Sequence, residues 1–354
     1  MKATGVPASA ALCAKTCEDV SEAIGGTPLV RLRRSLGAGG KEVEVFAKLE
    51  YLNPMGSVKD RVARYLVDRA LASGELWPGG VVIEASSGNT AMGLAMMATN
   101  RGLRCRAVVR RQTSREKLDC LRALGVELIL VDGDLPPEHP ESYNRKAQSL
   151  AAAHPEAFFP DQHNNRDNNR CHYETTAPEI WRQMDGRIDV FVGGIGTGGT
   201  VSGVGRYLKE QNPKIRVIAV DVEGSVFSRH FAALAGAEDD SAPPRRYLLE
   251  GLGDEEIIDC PEFDVFDRML QVSDAEAFLA ARELARDEAM LVGGSSGAAL
   301  WGVREMLPEL QPGARVVTLF PDSGTRYLST IYNDDWLREQ GLPTARGQST
   351  KIRS

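Results

Sequence analysis

Seven short apolar runs constrain this chain more than any other feature: VEVFAKLE, GGVVIEAS, LRCRAVVR, VELILVDG, IDVFVGGI, IRVIAVDV and ARVVTLFP. Each is separated from the next by a segment whose apolar residues recur at helical spacing. Strands that alternate with helices are joined by crossovers rather than hairpins, so the runs predict an α/β fold built on largely parallel sheets. At 354 residues the chain exceeds the size at which one core stops growing, and two packed domains are expected. Residues 133–172, rich in Pro, Asn and Asp, read as a loop with one embedded helix near 143–153 and as the crossing between the two sheets. A polar excursion is expected at 236–246, followed by a strand-like YLLEGLG.

Several function classes are set aside by charge and composition. The net charge of −7, with cations interspersed among acids, provides no basic stripe for nucleic acid. No apolar run reaches bilayer length and the first twenty residues lack an apolar signal core, so the expectation is a cytoplasmic protein that does not enter a membrane. Six scattered cysteines and five histidines without an HExxH pair make neither a disulfide scaffold nor a metal site, and no metal is expected.

Three glycine-rich strand–turn–helix junctions carry the candidate chemistry. In GGIGTGGTVSGVGRYLKEQ, residues Gly196, Thr197, Gly198, Gly199 and Thr200 form a phosphate cradle at a helix start, where N–H donors and the positive end of the dipole converge. The same residues 194–199 also satisfy GxGxxG, and Asp221 follows where a dinucleotide-binding unit places its ribose acid, so a nicotinamide-dependent oxidoreductase stays open at this point, as does a loop whose glycines serve tight packing alone. In EASSGNTAMGLA, Ser86, Ser87, Asn89 and Thr90 suit a carboxylate at a helix N-terminus, or simply cap that helix. In VGGSSGAALWG, Ser295 either faces a neutral heteroaromatic nitrogen or is a cap. A lysine, Lys59 in NPMGSVKDR, stands at a fourth helix start, where the dipole disfavours a cation. Two such positive ends depress a lysine pKa, and a neutral amine forms Schiff bases; the set as a whole points to pyridoxal 5′-phosphate, held covalently by Lys59 and by its phosphate in the glycine loop.

NPMGSVKDR, EASSGNTAMGLA, FFPDQHNN, GGIGTGGTVSGVGRYLKE, EGLGDE, GGSSGAA and FPDSGTRYL occur in the order of the fold-type II pyridoxal phosphate enzymes, and over about residues 20–340 the chain resembles the cystathionine β-synthase and cysteine synthase family. The resemblance implies two doubly wound parallel-sheet domains, like tryptophan synthase β, with the cofactor in the cleft between them. It places 45–160 in a smaller domain, 20–44 plus 161–340 in a larger one, and 1–19 and 341–354 in flexible tails. It implies that Lys59 is the cofactor lysine, that Asn89 bonds the ring hydroxyl and that Ser295 faces the pyridine nitrogen. Ser86, Ser87, Thr90 and Gln162 then grip the substrate carboxylate. The implied reaction is β-replacement on serine or an O-activated serine through an aminoacrylate, yielding cystathionine or cysteine, in a homodimer acting on small amino-acid substrates. Dehydration of serine or threonine, and synthesis of a specialised β-substituted alanine from an amine, are the alternatives. Ser86 and Ala91 stand where the family has threonine and glycine, and Asp254, Glu255 and Glu256 form an acidic turn that either repels anions and attracts amines or is simply solvated.

Overall fold

The computed structural model describes residues 16–37, 42–86, 88–111, 113–132, 135–136, 139–236 and 245–345. In chain order the strands are β1 (Leu29–Arg31), β2 (Glu44–Leu49), β3 (Val81–Ala85), β4 (Arg104–Arg110), β5 (Glu127–Val131), β6 (Ala157–Phe158), β7 (Val190–Gly194), β8 (Arg216–Val222), β9 (Arg268–Val272) and β10 (Arg315–Phe320). The helices are α1 (Lys59–Ser73), α2 (Asn89–Asn100), α3 (Arg115–Ala123), α4 (Tyr143–Ala152), α5 (Asp167–Cys171), α6 (Ala177–Gln183), α7 (Gly199–Gln211), α8 (Phe227–Leu234), α9 (Asp274–Asp287), α10 (Gly294–Met306) and α11 (Asp334–Glu339). A π-turn, His172–Thr176, joins α5 to α6.

The strands form two sheets, ordered β1-β2-β10-β7-β8-β9 and β5-β4-β3-β6. Every pairing is parallel except β1 against β2. Both faces of each sheet are covered, as parallel sheets require. In the larger one, Val190, Val192, Ile218 and Val220 pack into a core shared with α9 and α10, while Phe191, Val217 and Ala219 point the other way onto α6 and α7. In the smaller one, Val82 meets α1 and α2, and Ala85 and Val108 meet Ala147 of α4.

Local chemistry sets the element ends. Helix α1 follows a turn with Gly56 at φ +75° and stops at Gly74, φ +78°, whose N–H bonds the Leu71 carbonyl. Its buried face, Val62, Ala63, Leu66, Val67 and Ala70, packs on α2 and α5. Helix α9 opens on a capping box between Ser273 and Glu276.

The seven expected strands are all present, and α4 lies inside the expected loop. Three differences emerge. Strand β2, expected in the smaller domain that was to begin at residue 45, belongs to the larger sheet: Val45, Ala47 and Leu49 are buried in that core, and β10 pairs with β2 along its whole length. The segment YLLEGLG forms no strand, because Leu248 and Leu249 give their N–H groups to Asp274 instead of to a neighbouring strand. The short strands β1, β6 and β9 carry too little alternation to be read from sequence. Of the expected tails, 1–15 and 346–354 lie outside the described residues, as does 237–244 of the polar excursion. Within the remainder Asp19 caps the helical turn Val20–Ala23 and pairs with Arg101, and Leu342 packs against the larger core.

Candidate active site

Open parallel sheets bind ligands beyond the carboxyl ends of their strands, at the point where strand order reverses. In the larger sheet the order runs from β7 to β8 and β9 on one side and returns to β10 on the other. In the smaller sheet it runs from β3 to β4 and β5, then returns to β6. The loops after β7 and β10, and those after β3 and β6, therefore frame the site, and they contain the candidate residues.

The loop after β7 turns at Gly198, φ +81°, into α7, whose first turn carries no acidic residue. A Cβ at Gly196 would stand 2.2 Å from the Gly251 carbonyl oxygen, and one at Gly199 would stand 2.2 Å from Asn168 Oδ1. Glycine is thus required at both positions by close approach of other chain segments. Lys59 Nζ donates to Thr197 Oγ1 at 3.3 Å, which joins the start of α1 to this loop. Asn168 Nδ2 donates to the same oxygen at 3.0 Å and to the Gln162 carbonyl at 2.8 Å. The Thr200 hydroxyl lies 3.1 Å from Nε2 of His172, whose burial lowers its pKa to about 3 and keeps it neutral.

In the loop after β3, Ser86 Oγ accepts from the N–H of Ala91 at 3.2 Å, the capping alternative for that serine. Ser87 lies outside the described residues. Thr90 Oγ1 donates to Gln162 Oε1 at 2.6 Å, so the loops after β3 and β6 meet through two of the expected carboxylate-binding side chains. Beneath them Glu84, 2% exposed, accepts from the N–H groups of Ala85 (2.8 Å) and Gln162 (3.3 Å); burial pushes its carboxyl up to about 7.

The elements that hold Lys59 explain its chemistry. Arg61, two residues on, is bound by Glu50 (2.7 Å) and Glu179 (2.7 Å), and Glu179 also takes Lys48 (2.8 Å). Burial alone raises the Glu179 carboxyl, but Arg61 and Lys48 outweigh it and bring it down to about 2. This buried cluster fastens α1 to β2 and α6. Lys59 itself has no carboxylate within ion-pair distance among the described residues. Burial is the leading reason that its pKa falls from 10.5 to about 8, against the opposing pull of Cys260, Cys171 and Glu84. The sequence reading had credited two helix ends; loss of hydration dominates.

Asn89, at the start of α2, meets the loop after β10. Its Nδ2 donates to Asp322 Oδ2 at 2.9 Å, and Arg326 donates to its Oδ1. Tyr327 also donates to Asp322 Oδ2, at 2.7 Å. Lys117 of α3 is buried, pairs with Glu250 and lies 4.9 Å from the Tyr327 ring centre. Ser295, 7% exposed, is in the first turn of α10, and the N–H of the preceding Gly293 bonds the Asp322 carbonyl. Sequence reasoning missed Asn168, His172, Asp322 and Arg326, although FPDSGTRYL was singled out and contains two of them.

Asp221, the candidate ribose acid, is fully buried and spent on the N–H groups of Val222 (2.9 Å) and Ser228 (3.0 Å) and on the Ser228 hydroxyl (2.8 Å). It ties the end of β8 to the first turn of α8 and is closed to a nucleotide. Within the acidic turn Asp254 lies 3.2 Å from His163 Nδ1 and accepts from the N–H groups of Glu255 and Glu256, whose side chains are exposed.

Comparison with known proteins agrees with this fold. The family model described as pyridoxal-phosphate dependent enzyme matches residues 20–322. The chain is 39% identical over 339 residues to cystathionine beta-synthase of Apis mellifera, covering 95% of this chain and 66% of that protein. It is 38% identical over 331 residues to N-(2-amino-2-carboxyethyl)-L-glutamate synthase of Ralstonia nicotianae, covering 93% and 94%. The solved structure of O-acetylserine dependent cystathionine beta-synthase from Helicobacter pylori superposes with a TM-score of 0.80 at 36% identity, over 90% of this chain and 100% of that one. The chain spans between 57% and 66% of the length of the matched bee, rabbit, rat and mouse cystathionine beta-synthases. No helix among the described residues is long and apolar enough to cross a membrane.

Proposed function

We propose, from the premise that this chain belongs to the family of pyridoxal-phosphate dependent enzymes, that it catalyses β-replacement on serine or an O-activated serine, with homocysteine or sulfide as the incoming nucleophile. The observation that carries the reading is the contact of Lys59 Nζ with Thr197 in the glycine loop, made by an amine whose pKa is about 8.

The residues present fit the cofactor. The loop Gly196–Thr200 gathers N–H donors at the start of a 13-residue helix free of acids in its first turn, which suits a phosphate. Lys59 is within reach of that loop without a carboxylate to hold it as a cation, which suits an aldehyde. When bound, pyridoxal phosphate supplies an electron sink for the bond electrons at the substrate α-carbon. The chain's own residues do the rest. Thr90 and Gln162, already joined, bind the substrate carboxylate together with the Ser86 and Ser87 loop, and fix which α-bond is cleaved. Asn89 would donate to the ring oxygen, and Ser295 would serve the ring nitrogen as a neutral partner. Lys59 would take the α-proton at Nζ and later return it. With a pKa of about 8 it is poised for both transfers near neutral pH.

A second reading, an amine nucleophile, is favoured by the exposed carboxylates of Glu255 and Glu256 and by the name of the Ralstonia relative. Purified protein incubated with L-serine, O-acetyl-L-serine or O-phospho-L-serine, each against homocysteine, sulfide and an amino acid such as glutamate, separates the two. Thioether or thiol product supports the first reading, and a secondary amine supports the second. Release of ammonia and keto acid without any nucleophile indicates a dehydratase, and a protein that takes up no pyridoxal phosphate sinks all three. Two domains facing one another across the site, a homodimeric assembly and a cytoplasmic location complete the proposal. The five described cysteines are free thiols, in keeping with a reducing compartment, and sedimentation equilibrium tests the dimer.

A further inference from the structure

The carboxamide of Asn89 is held at both ends by residues of the loop after β10. Arg326 donates to its Oδ1, and Asp322 Oδ2 accepts from its Nδ2 at 2.9 Å. A guanidinium only donates and a carboxylate only accepts, so these partners settle which end of the amide is oxygen and which is nitrogen. Nδ2 has two hydrogens and one is spent on Asp322.

The clamp is itself locked in place. Asp322 is 1% exposed, and its Oδ2 takes the Tyr327 hydroxyl as well. Among the described residues its Oδ1 has no hydrogen-bond partner, and it lies where a Cβ on Gly293 would come within 2.0 Å. Arg326 also donates to the Met55 carbonyl, in the turn that leads into Lys59. A buried carboxylate with an unmatched oxygen is costly to keep unless its position serves something. Burial raises its pKa, and the bonds from Asn89 and Tyr327 oppose that rise.

We propose that Asp322 and Arg326 are positioning residues that act through Asn89: they present the nitrogen end of its amide, so the ring oxygen of the cofactor meets a donor. The inference rests on the reading of Asn89 given above. Without the clamp the Asn89 side chain has neither a fixed rotamer nor a fixed amide orientation, and binding must order both before the ring oxygen meets a donor.

A double-mutant cycle on the cofactor dissociation constant, measured by equilibrium dialysis of full-length protein, tests it. Asp322→Ala should weaken pyridoxal phosphate binding roughly five- to tenfold, the worth of one oriented hydrogen bond. In an Asn89→Ala background the same change should have almost no effect, because the two residues act as one unit. Visible circular dichroism of the bound cofactor should weaken in Asp322→Ala as the ring loses a fixed partner. Equal loss of affinity with and without Asn89 would show a merely structural role and overturn the proposal. If Asn89→Ala alone leaves affinity unchanged while the wild type binds cofactor, the reading of Asn89 fails and this inference falls with it, with β-replacement untouched. Arg326→Met, placed in the same cycle, decides the matter if Asp322→Ala does not fold.

Discussion

Lys59 shows how one residue's surroundings set its reactivity. Its pKa in the fold, about 8, lies below the 10.5 of an unfolded lysine, so the folded state binds fewer protons between those values. The stability of the cofactor-free protein should therefore rise with pH through that window, and the penalty should be present in full below about 8. Cofactor-free Lys59→Met should melt higher than the wild type at pH 7, and the gap should close as pH approaches 10.5; equal melting at pH 7 would mean that burial is not the cause. Lys59 and the glycine loop were legible in sequence because each stands in one contiguous motif at a strand–helix junction. Asp322 was not, because its meaning comes from a partner 233 residues away. Asn168 lay in a run read as loop, and Ser86 kept its capping alternative.

At the scale of elements, α1 can carry a depressed lysine because it is pinned elsewhere. Arg61→Met leaves Glu50 without its main partner, and removing one member of a buried pair costs about 3–5 kcal/mol, measurable by urea unfolding. The sign with pH follows from the carboxylates. Glu179 is held at about 2 in the fold against 4.5 unfolded, so its contribution is complete above 4.5 and is lost as pH falls towards 2. The wild type should lose more stability than Arg61→Met over that acid range, and parallel curves would refute the account. In α7, Gly199→Ala drives a Cβ into Asn168, an overpacking worth about 1–3 kcal/mol, and cofactor affinity should fall while the far-UV circular dichroism is kept. Strands with a continuous apolar or β-branched run were readable from sequence; β1 and β6, of three and two residues, and β9, interrupted by Arg268 and Gln271, were not. The leucines of YLLEGLG look like strand, and only the Asp274 carboxylate explains why they are not.

For the whole molecule, fold class follows from the alternation of strand and helix and the expectation of two units from chain length, but the allocation of β2 follows from neither, since a buried strand carries no label of the sheet it joins. Across the site the two sheets are tied by Asn89 to Asp322 and by Lys117 to Glu250 and Tyr327. Lys117→Ala removes the second tie, and amide exchange in α3 and around Glu250 should quicken while that of β7 and β8 stays unchanged; uniform quickening would mean global destabilisation instead. The pairing of β2 with β10, where Glu44 and Arg315 bond 271 residues apart, reaches further still. On a ribosome the segment with Lys59 emerges well before the strand that closes the sheet beside it. The smaller sheet, from β3 to β6, has all its strands by then and can form first. The nascent chain therefore carries its reactive amine through the translation of all that lies between without the loop after β10, and cofactor capture should wait until that loop has emerged.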